Sequence, residues 1–502
     1  MQHMSRFDEI ILDRVFCRKD ADTPAFCIRG ECFSYRRFIS LASNMAVRFE
    51  SLDREMICLY ATDDVRTYAA IFALWMCGKA YVPLNPVQPK GRHLEVMESI
   101  GATCVISADR SYTVDDPSVS VIDVSGLESV AGQEVVPFRH DVPEDKAAYV
   151  IFTSGSTGKP KGVVITRGNL AAFVDSTGHT GLSISGEDRC LQPFDLTFDF
   201  SVSSYLLPLL NGACVYTIPP KAIKFLQIAA LVEKYRLTVL QMVPSMARNL
   251  LPYASELDLG SVKYNIFCGD ALTRQIVKGW HKLNPDMVSY NMYGPTEGTV
   301  FCAGYVMNER NLDSLETYND VVSIGKPYAN CQVAIIGDDG EVITSVGEKG
   351  ELCLAGAQLT PGYWNNPQEN SSRFFMLDGV RFYGSGDICF YGEDGNLAYV
   401  GRKDFQVKIN GFRVELQEVE KCFSDASGGM FSVAMPTTNS QGNTELVLAV
   451  EGRERDCTSE KAYLAAHLPK YEVPSRFIFV RSIPMNVNGK VDRKALAAMM
   501  DI

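Results

Sequence analysis

The sequence predicts an α/β protein built from more than one domain. Three observations predict it. Apolar runs with helical spacing alternate with short β-leaning runs over most of the chain. A loop of glycines, hydroxyls and lysines follows directly on one of the buried strands. After Asp394 the texture changes to that of a smaller α+β unit.

With 502 residues, 46% of them hydrophobic, the chain has the material for large cores. Its net charge of −12 argues against nucleic acid as a bulk electrostatic partner, but not against a nucleotide, which needs only a local basic site. No span of about eighteen or more apolar residues occurs, so membrane insertion is not expected. The strongest stretch, 68–78, is stopped by Lys79. The amino terminus, MQHMSRFDEIILDR, carries charges throughout and lacks the apolar core of a signal peptide. Fifteen cysteines without a C-x-x-C pair read as reduced, buried thiols of a cytoplasmic protein. With six dispersed histidines, no metal cage of Cys and His is expected.

Taken in order, 33–49 and 66–77 have the apolar spacing of helices, and AYVPLNP (80–86) reads as a strand closed by a proline-marked loop. A helix over 94–101 then leads to the buried strand ATCVIS. This alternation favours a parallel sheet covered on both faces. YVIF (149–152) is another buried strand, and from Thr153 the chain turns polar and small. Thr153, Ser154, Ser156 and Thr157 supply hydroxyls, Gly155, Gly158 and Gly162 free the backbone, and Lys159 and Lys161 bring charge. Together they make an anion-binding concavity. A Gly/Ser linker would not interleave lysines so regularly or follow a buried strand. The Walker pattern fails here, because Pro160 stands where its hydroxyl belongs and Thr153 where its first glycine belongs.

Alternation resumes over 206–210, 214–218, 228–235 and 237–243. Such sheets bind ligands beyond the carboxyl ends of their strands, which places four later loops around the anion loop. QPFDLTFDFSV (192–202) holds two Phe-Asp pairs whose carboxylates would be costly to bury without a cation. NIFCGDAL (265–272) is a strand ending in Cys268, Gly269 and Asp270. YNMYGPTEGTV (290–300) presents Thr296 and Glu297 after a Gly-Pro turn, a pair suited to phosphate plus Mg²⁺. YGSGD (383–387) is read as a glycine loop exposing Asp387 to a ribose hydroxyl pair. Beyond 394 come a hairpin turn, a strand, a loop over 401–404, a second strand broken by Asn410-Gly411, and a helix. Near the end Lys490 sits beside a glycine on a polar turn ahead of a short helix.

In this order the motifs resemble the ANL adenylating superfamily, and within it amino-acid adenylation domains of nonribosomal peptide synthesis and stand-alone D-alanine–D-alanyl carrier protein ligases. TSGSTGKPKG and YGPTE at their separation are the most specific marks, and the resemblance runs from FSYRRF to NGKVDRKAL. It implies a large N-terminal domain (1–403) of two helix-covered sheets plus a small β-barrel. A small mobile α+β domain (404–502) would pivot at Asp404. It implies two half-reactions. A carboxylate attacks the α-phosphorus of MgATP, giving an acyl-adenylate and pyrophosphate, and a phosphopantetheine thiol then takes the acyl group from AMP.

By that resemblance the 153–162 loop would hold the β- and γ-phosphates, Glu297 would help bind Mg²⁺, and Thr296 would meet the α-phosphate. Tyr293 would stack on adenine, with Asn291, Gly269, Asp270, Met292 and Gly294 alongside. Asp387 would hold the ribose, Arg402 would approach ribose or phosphate, and Lys490 would reach between carboxylate and α-phosphate. The domain would then rotate, withdrawing Lys490 and bringing the 408–413 strand to the site. Gly384 and Ser385 depart from the basic residue and Thr usual before the ribose aspartate, which puts a secondary nucleotide contact there in doubt. Asp199 matches the aspartate kept for a substrate α-ammonium; a helix N-cap is its alternative reading. Phe198, Phe200, Ser203, Met242, Ile266, Cys268, Met292, Val300 and Phe301 would line the rest of the pocket. None is charged and several are bulky, which favours a small neutral amino acid. D-alanine leads, with glycine, L-alanine and serine open. No carrier-protein serine segment or His-His-x-x-x-Asp motif occurs in the sequence, so a separate phosphopantetheinylated carrier protein is the expected acceptor, and a monomer is expected. An acyl-CoA synthetase is the rival enzyme and a non-catalytic nucleotide-binding protein the rival of another class.

Overall fold

The computed structural model describes residues 5–128, 142–154, 160–403, 406–485 and 491–502. Gly155, Ser156, Thr157, Gly158, Lys159, Asp404 and Lys490 therefore lie outside the described residues. The chain divides into two compact units. The first comprises Met1–Pro86, Ser99–Ile151 and Gly162–Lys403; the second comprises Val87–Glu98, Phe152–Lys161 and Asp404–Ile502.

The first unit is built on two largely parallel sheets. In the nine-stranded sheet the order is Lys326–Pro327, Ala303–Met307, Val288–Tyr293, Tyr264–Phe267, Val239–Met242, Arg189–Gln192, Cys214–Thr217, Pro24–Ile28 and Glu31–Ser34. The strands from Val288–Tyr293 to Pro24–Ile28 pair in parallel, and the outer strands are antiparallel. In the seven-stranded sheet Ala147–Thr153, Ala80–Leu84, Met56–Tyr60, Cys104–Ser107 and Ser120–Asp123 are parallel neighbours.

Helix Val65–Met76 is apolar on every side and fully enclosed except at Arg66, as such a helix must be. Asp64 caps it by accepting the Arg66 N–H. Trp75 from this helix donates to the Ala148 carbonyl at 2.9 Å, and the Tyr81 and Tyr205 hydroxyls meet at 3.1 Å. Phe26, Phe38, Phe72 and Tyr68 fill the space between in edge-to-face and tilted contacts.

A third, antiparallel sheet of six strands forms a half-barrel. It corrects one sequence reading. YGSGD is not a loop: it lies inside the strand Val380–Tyr391. Gly384 is there because a Cβ would come within 2.9 Å of Glu351 Oε1, which accepts the Gly386 N–H.

In the second unit the strands Ser432–Thr438, Thr444–Glu451 and Arg476–Val480 carry the helices Leu416–Ser427, Thr458–His467 and Arg493–Met499. The hairpin Gln406–Ile409/Phe412–Glu415 turns on Asn410 (φ 52°) and Gly411 (φ 87°), the left-handed pair that a two-residue hairpin requires. Helix Lys90–Ile100 begins four residues ahead of the predicted 94. Its first turn is polar, and Arg92 is buried there against Glu418 at 2.8 Å.

Candidate active site

The carboxyl ends of the nine-stranded sheet gather the chemistry. Asp199 follows the strand Arg189–Gln192 and immediately precedes helix Phe200–Leu210. Its backbone is already helical (φ −60°, ψ −26°) and its side chain makes no capping bond, so the N-cap reading does not describe it. The carboxylate is 6% exposed. Burial pushes the Tyr149 hydroxyl well above the ordinary phenol range, and Tyr81 and the Asp199 charge push it further. Burial likewise raises Tyr81, with Asp199 adding to it and the Tyr205 hydrogen bond opposing. Asp199 thus lies close enough to two buried phenols to make both harder to ionise.

Around it Phe200, Ser203, Ile266, Cys268, Met292, Val300 and Phe301 are all buried. Phe200 meets Phe301 edge-on at 6.4 Å and stacks on Phe194 at 4.6 Å. Ser203 Oγ lies 2.6 Å from Gln241 Oε1 and 3.0 Å from the Phe200 carbonyl. One predicted member belongs elsewhere. Met242 joins the separate core of Leu240, Phe267 and Trp280. Strand alternation sends Gln241 to Ser203 and its neighbour to the opposite face, so Gln241 takes the place expected of Met242.

The YGPTE loop is held rigid. Thr299 and Val300 both have left-handed backbone (φ 59° and 69°), a conformation that costs about 1–3 kcal/mol per residue and needs support. Gln358 supplies it: Nε2 donates to the carbonyls of Gly298, Thr299 and Phe301 at 3.2, 3.4 and 3.0 Å. Gly294 must be glycine, since a Cβ would sit 2.5 Å from Phe301 Cα. Glu297, fully buried, accepts the Tyr363 hydroxyl on Oε1 at 2.5 Å. Tyr293 donates its hydroxyl to Asp387 Oδ2 at 2.5 Å, while Arg402 reaches Asp387 Oδ1 at 3.0 Å. The Tyr293 ring is buried in the large core.

Ser385 is occupied by the protein itself. Its hydroxyl donates to the Leu352 carbonyl at 2.6 Å and accepts the Asp387 N–H at 3.1 Å. Asn291 bridges the Val322 and Ser323 carbonyls, Gly269 turns at φ +90°, and Asp270 accepts the Ala271 N–H. In the second unit, Ser154 Oγ donates to the Arg413 carbonyl at 2.8 Å and accepts the Glu415 N–H at 3.2 Å. Lys161 there is buried 3.8 Å from Glu415 Oε1, and the Thr153 side chain lies in the same unit. Sequence reasoning missed Tyr363, Gln358, Gln241 and Tyr328. Strand periodicity could have found Gln241; no local signal marks the others.

The chain belongs to the AMP-binding enzyme family, whose model matches residues 14–364. It is an AMP-forming ligase. D-alanine–D-alanyl carrier protein ligase of Bacillus cereus (strain G9842) is 31% identical over 492 residues, covering 95% of this chain and 96% of that protein. The dimodular nonribosomal peptide synthase of Bacillus subtilis (strain 168) is 32% identical over 442 residues. That match covers 86% of this chain but only 18% of the relative's length. Among solved structures, the Vibrio cholerae adenylation domain AlmE in complex with glycyl-adenosine-5'-phosphate superposes with a TM-score of 0.85. It has 25% identity and covers 98% of this chain and 97% of the other. All fifteen cysteines are free thiols. Among the described residues no helix is long and apolar enough to cross a membrane, and no group of three or more His, Cys, Asp or Glu could cage a metal.

Proposed function

We propose that the protein activates a small neutral amino acid as its adenylate and passes the aminoacyl group to the phosphopantetheine thiol of a carrier protein. D-alanine is the leading substrate, ahead of glycine, L-alanine and serine. The observation that carries the reading is Asp199, a buried carboxylate in the same core region as side chains that the resemblance assigns to the pocket and that carry no charge. Facing an α-ammonium in so dry a place, it would contribute on the order of several kcal/mol. A fatty or aryl acid gives that charge nothing to hold, which disfavours the acyl-CoA synthetase reading. The bulk of Phe200, Phe301 and Met292 supports a small side chain, as do the names of the D-alanyl ligase and glycyl-adenylate relatives.

Asp387, oriented by Tyr293 and Arg402, retains acceptor sites for ribose hydroxyls because a carboxylate offers about four lone-pair positions. Glu297 fits Mg²⁺: it is a buried hard-oxygen ligand fixed by Tyr363, and Mg²⁺ is commonly bound by one or two carboxylates together with substrate phosphates. When bound, the ion would neutralise charge on the phosphates. The substrate carboxylate, steered by Asp199 through the ammonium, attacks the α-phosphorus. A new P–O bond forms as the bond to the β-phosphate oxygen breaks, and pyrophosphate leaves. Lys490 is assigned to the charge that grows between these groups, and residues 153–162 to the departing phosphates. In the second step a thiolate forms the thioester and AMP leaves. We assign the catalytic core to 1–403 and the moving domain to 404–502, with its pivot at Asp404.

ATP–pyrophosphate exchange across D- and L-amino acids, acetate and medium-chain acids tests the reading. Exchange is expected only with small amino acids, and Asp199→Ala should abolish it while ATP binding persists. Undiminished exchange in that variant, or exchange supported by the simple acids, would overturn it.

A further inference from the structure

Tyr328 belongs to none of the motif loops. It follows the short edge strand Lys326–Pro327. Its N–H donates to the Cys302 carbonyl at 2.8 Å, which ties its backbone to the segment ending the YGPTE loop. Its half-buried side chain then joins three segments. The hydroxyl donates to Met292 Sδ. The ring meets Phe301 edge-on at 6.1 Å. Burial holds the phenol well above its ordinary range, with the Cys268 and Cys302 thiols adding to the effect, so at neutral pH it keeps the proton it donates.

Gly304 lies against this contact. A Cβ there would collide with the Tyr328 hydroxyl and come within 2.9 Å of Met292 Sδ. Methionine is the most adaptable of core side chains, unbranched and free at several torsions, so a methionine wall sets a pocket's size poorly unless something holds it. Here a phenol holds its sulfur and backs its neighbour Phe301.

We propose that Tyr328 is a specificity-determining positioning residue: acting through Met292 and Phe301, it fixes the wall that limits the length of the amino-acid side chain. This rests on the amino-acid adenylation reading above. A residue needed only for folding would depress exchange with every amino acid alike. A wall-setting residue changes the ratio between homologues.

The test is ATP–pyrophosphate exchange by the full chain with glycine, alanine, 2-aminobutyrate and norvaline, each in the preferred configuration. Wild type, Tyr328→Phe, Met292→Leu and the double variant are compared. Tyr328→Phe should cut the preference for the best substrate over a homologue one or two methylenes longer by about threefold to tenfold, part of what one methylene is worth in an apolar pocket. The change should fall on KM for the amino acid, while KM for ATP stays within about twofold. In the Met292→Leu background the same substitution should change the ratio by less than about twofold, since coupled residues do not add. Gly304→Ala, which pushes the phenol from the sulfur, should reproduce the Tyr328→Phe shift.

An unchanged ratio in both Tyr328→Phe and Gly304→Ala, beside a wild type that discriminates, overturns the proposal. So does an equal shift in both methionine and leucine backgrounds. If wild type shows no amino-acid-dependent exchange at all, the parent reading falls and takes this one with it.

Discussion

Two aspartates flank the strand Arg189–Gln192, one at each end of the sheet. Asp188, at the amino end, is satisfied by the chain on both oxygens. Oδ1 accepts the Thr238 hydroxyl at 2.7 Å and Lys263 Nζ at 2.9 Å, and Oδ2 accepts the Ser185 N–H and hydroxyl at 2.9 and 3.0 Å. Thr238 and Lys263 directly precede the next two parallel strands, so one carboxylate stitches the starts of three. Asp199, beyond the carboxyl end, sits beside phenols and phenylalanines and caps nothing. Both are buried, 1% and 6% exposed, so burial alone does not separate them. What separates them is the end of the sheet: parallel strands close their amino ends for stability and leave their carboxyl ends to ligands.

The largest expected effect tests the carboxyl end. Glu297→Gln keeps the shape and an oxygen for the Tyr363 hydroxyl but removes the charge. Exchange should fall about a hundredfold to a thousandfold with every amino acid, the scale of losing one preorganised electrostatic group. Its melting temperature should stay close to wild type, and the apparent requirement for Mg²⁺ should rise. A variant that loses stability in proportion to activity would make Glu297 a structural acid like Asp188 and erase the distinction.

The same contrast shows what can be read from the chain. The anion loop, YGPTE and Asp387 stand out in the sequence because each groups its chemical side chains within a few adjacent residues. YGSGD reads as a loop because two close glycines usually mark a turn. Here Gly384 leaves room for Glu351, which accepts the Gly386 N–H inside a strand, and that is a tertiary fact. The family resemblance assigns Met242 to the pocket, and the pleat of its strand instead turns Gln241 toward Ser203. Gln358, Tyr363 and Tyr328 lie 57, 66 and 36 residues away from their hydrogen-bond partners Phe301, Glu297 and Met292, in segments with no motif of their own. Supports of this kind are set by which strands the fold brings together, and one sequence does not print that.

The smaller effect tests the amino end. Asp188→Asn should leave the substrate preference unchanged and lower stability, because the amide NH₂ then faces the Ser185 N–H where an acceptor is needed. The cost is that of a buried donor left unmet, about 1–3 kcal/mol. Lys263 is half exposed, so Lys263→Ala should cost no more than about 1 kcal/mol. Burial alone would raise the Asp188 carboxyl; hydrogen bonds from Thr238, Lys263 and Ser185 outweigh it and leave it below the usual carboxylate range. A folded value below the unfolded one, about 3.9, means that the stabilisation is complete above that pH and lost as pH falls through the lower, folded value. Urea unfolding of wild type and Asp188→Asn should therefore differ by a constant amount from pH 7 to about 5, and the gap should close only below about 4. A gap that already narrows between pH 7 and 5 would mean that Asp188 is held neutral more readily than its partners imply. The hydrogen bonds from Thr238, Lys263 and Ser185 would then not be what sets the Asp188 charge, and its role in joining the starts of three strands would fall.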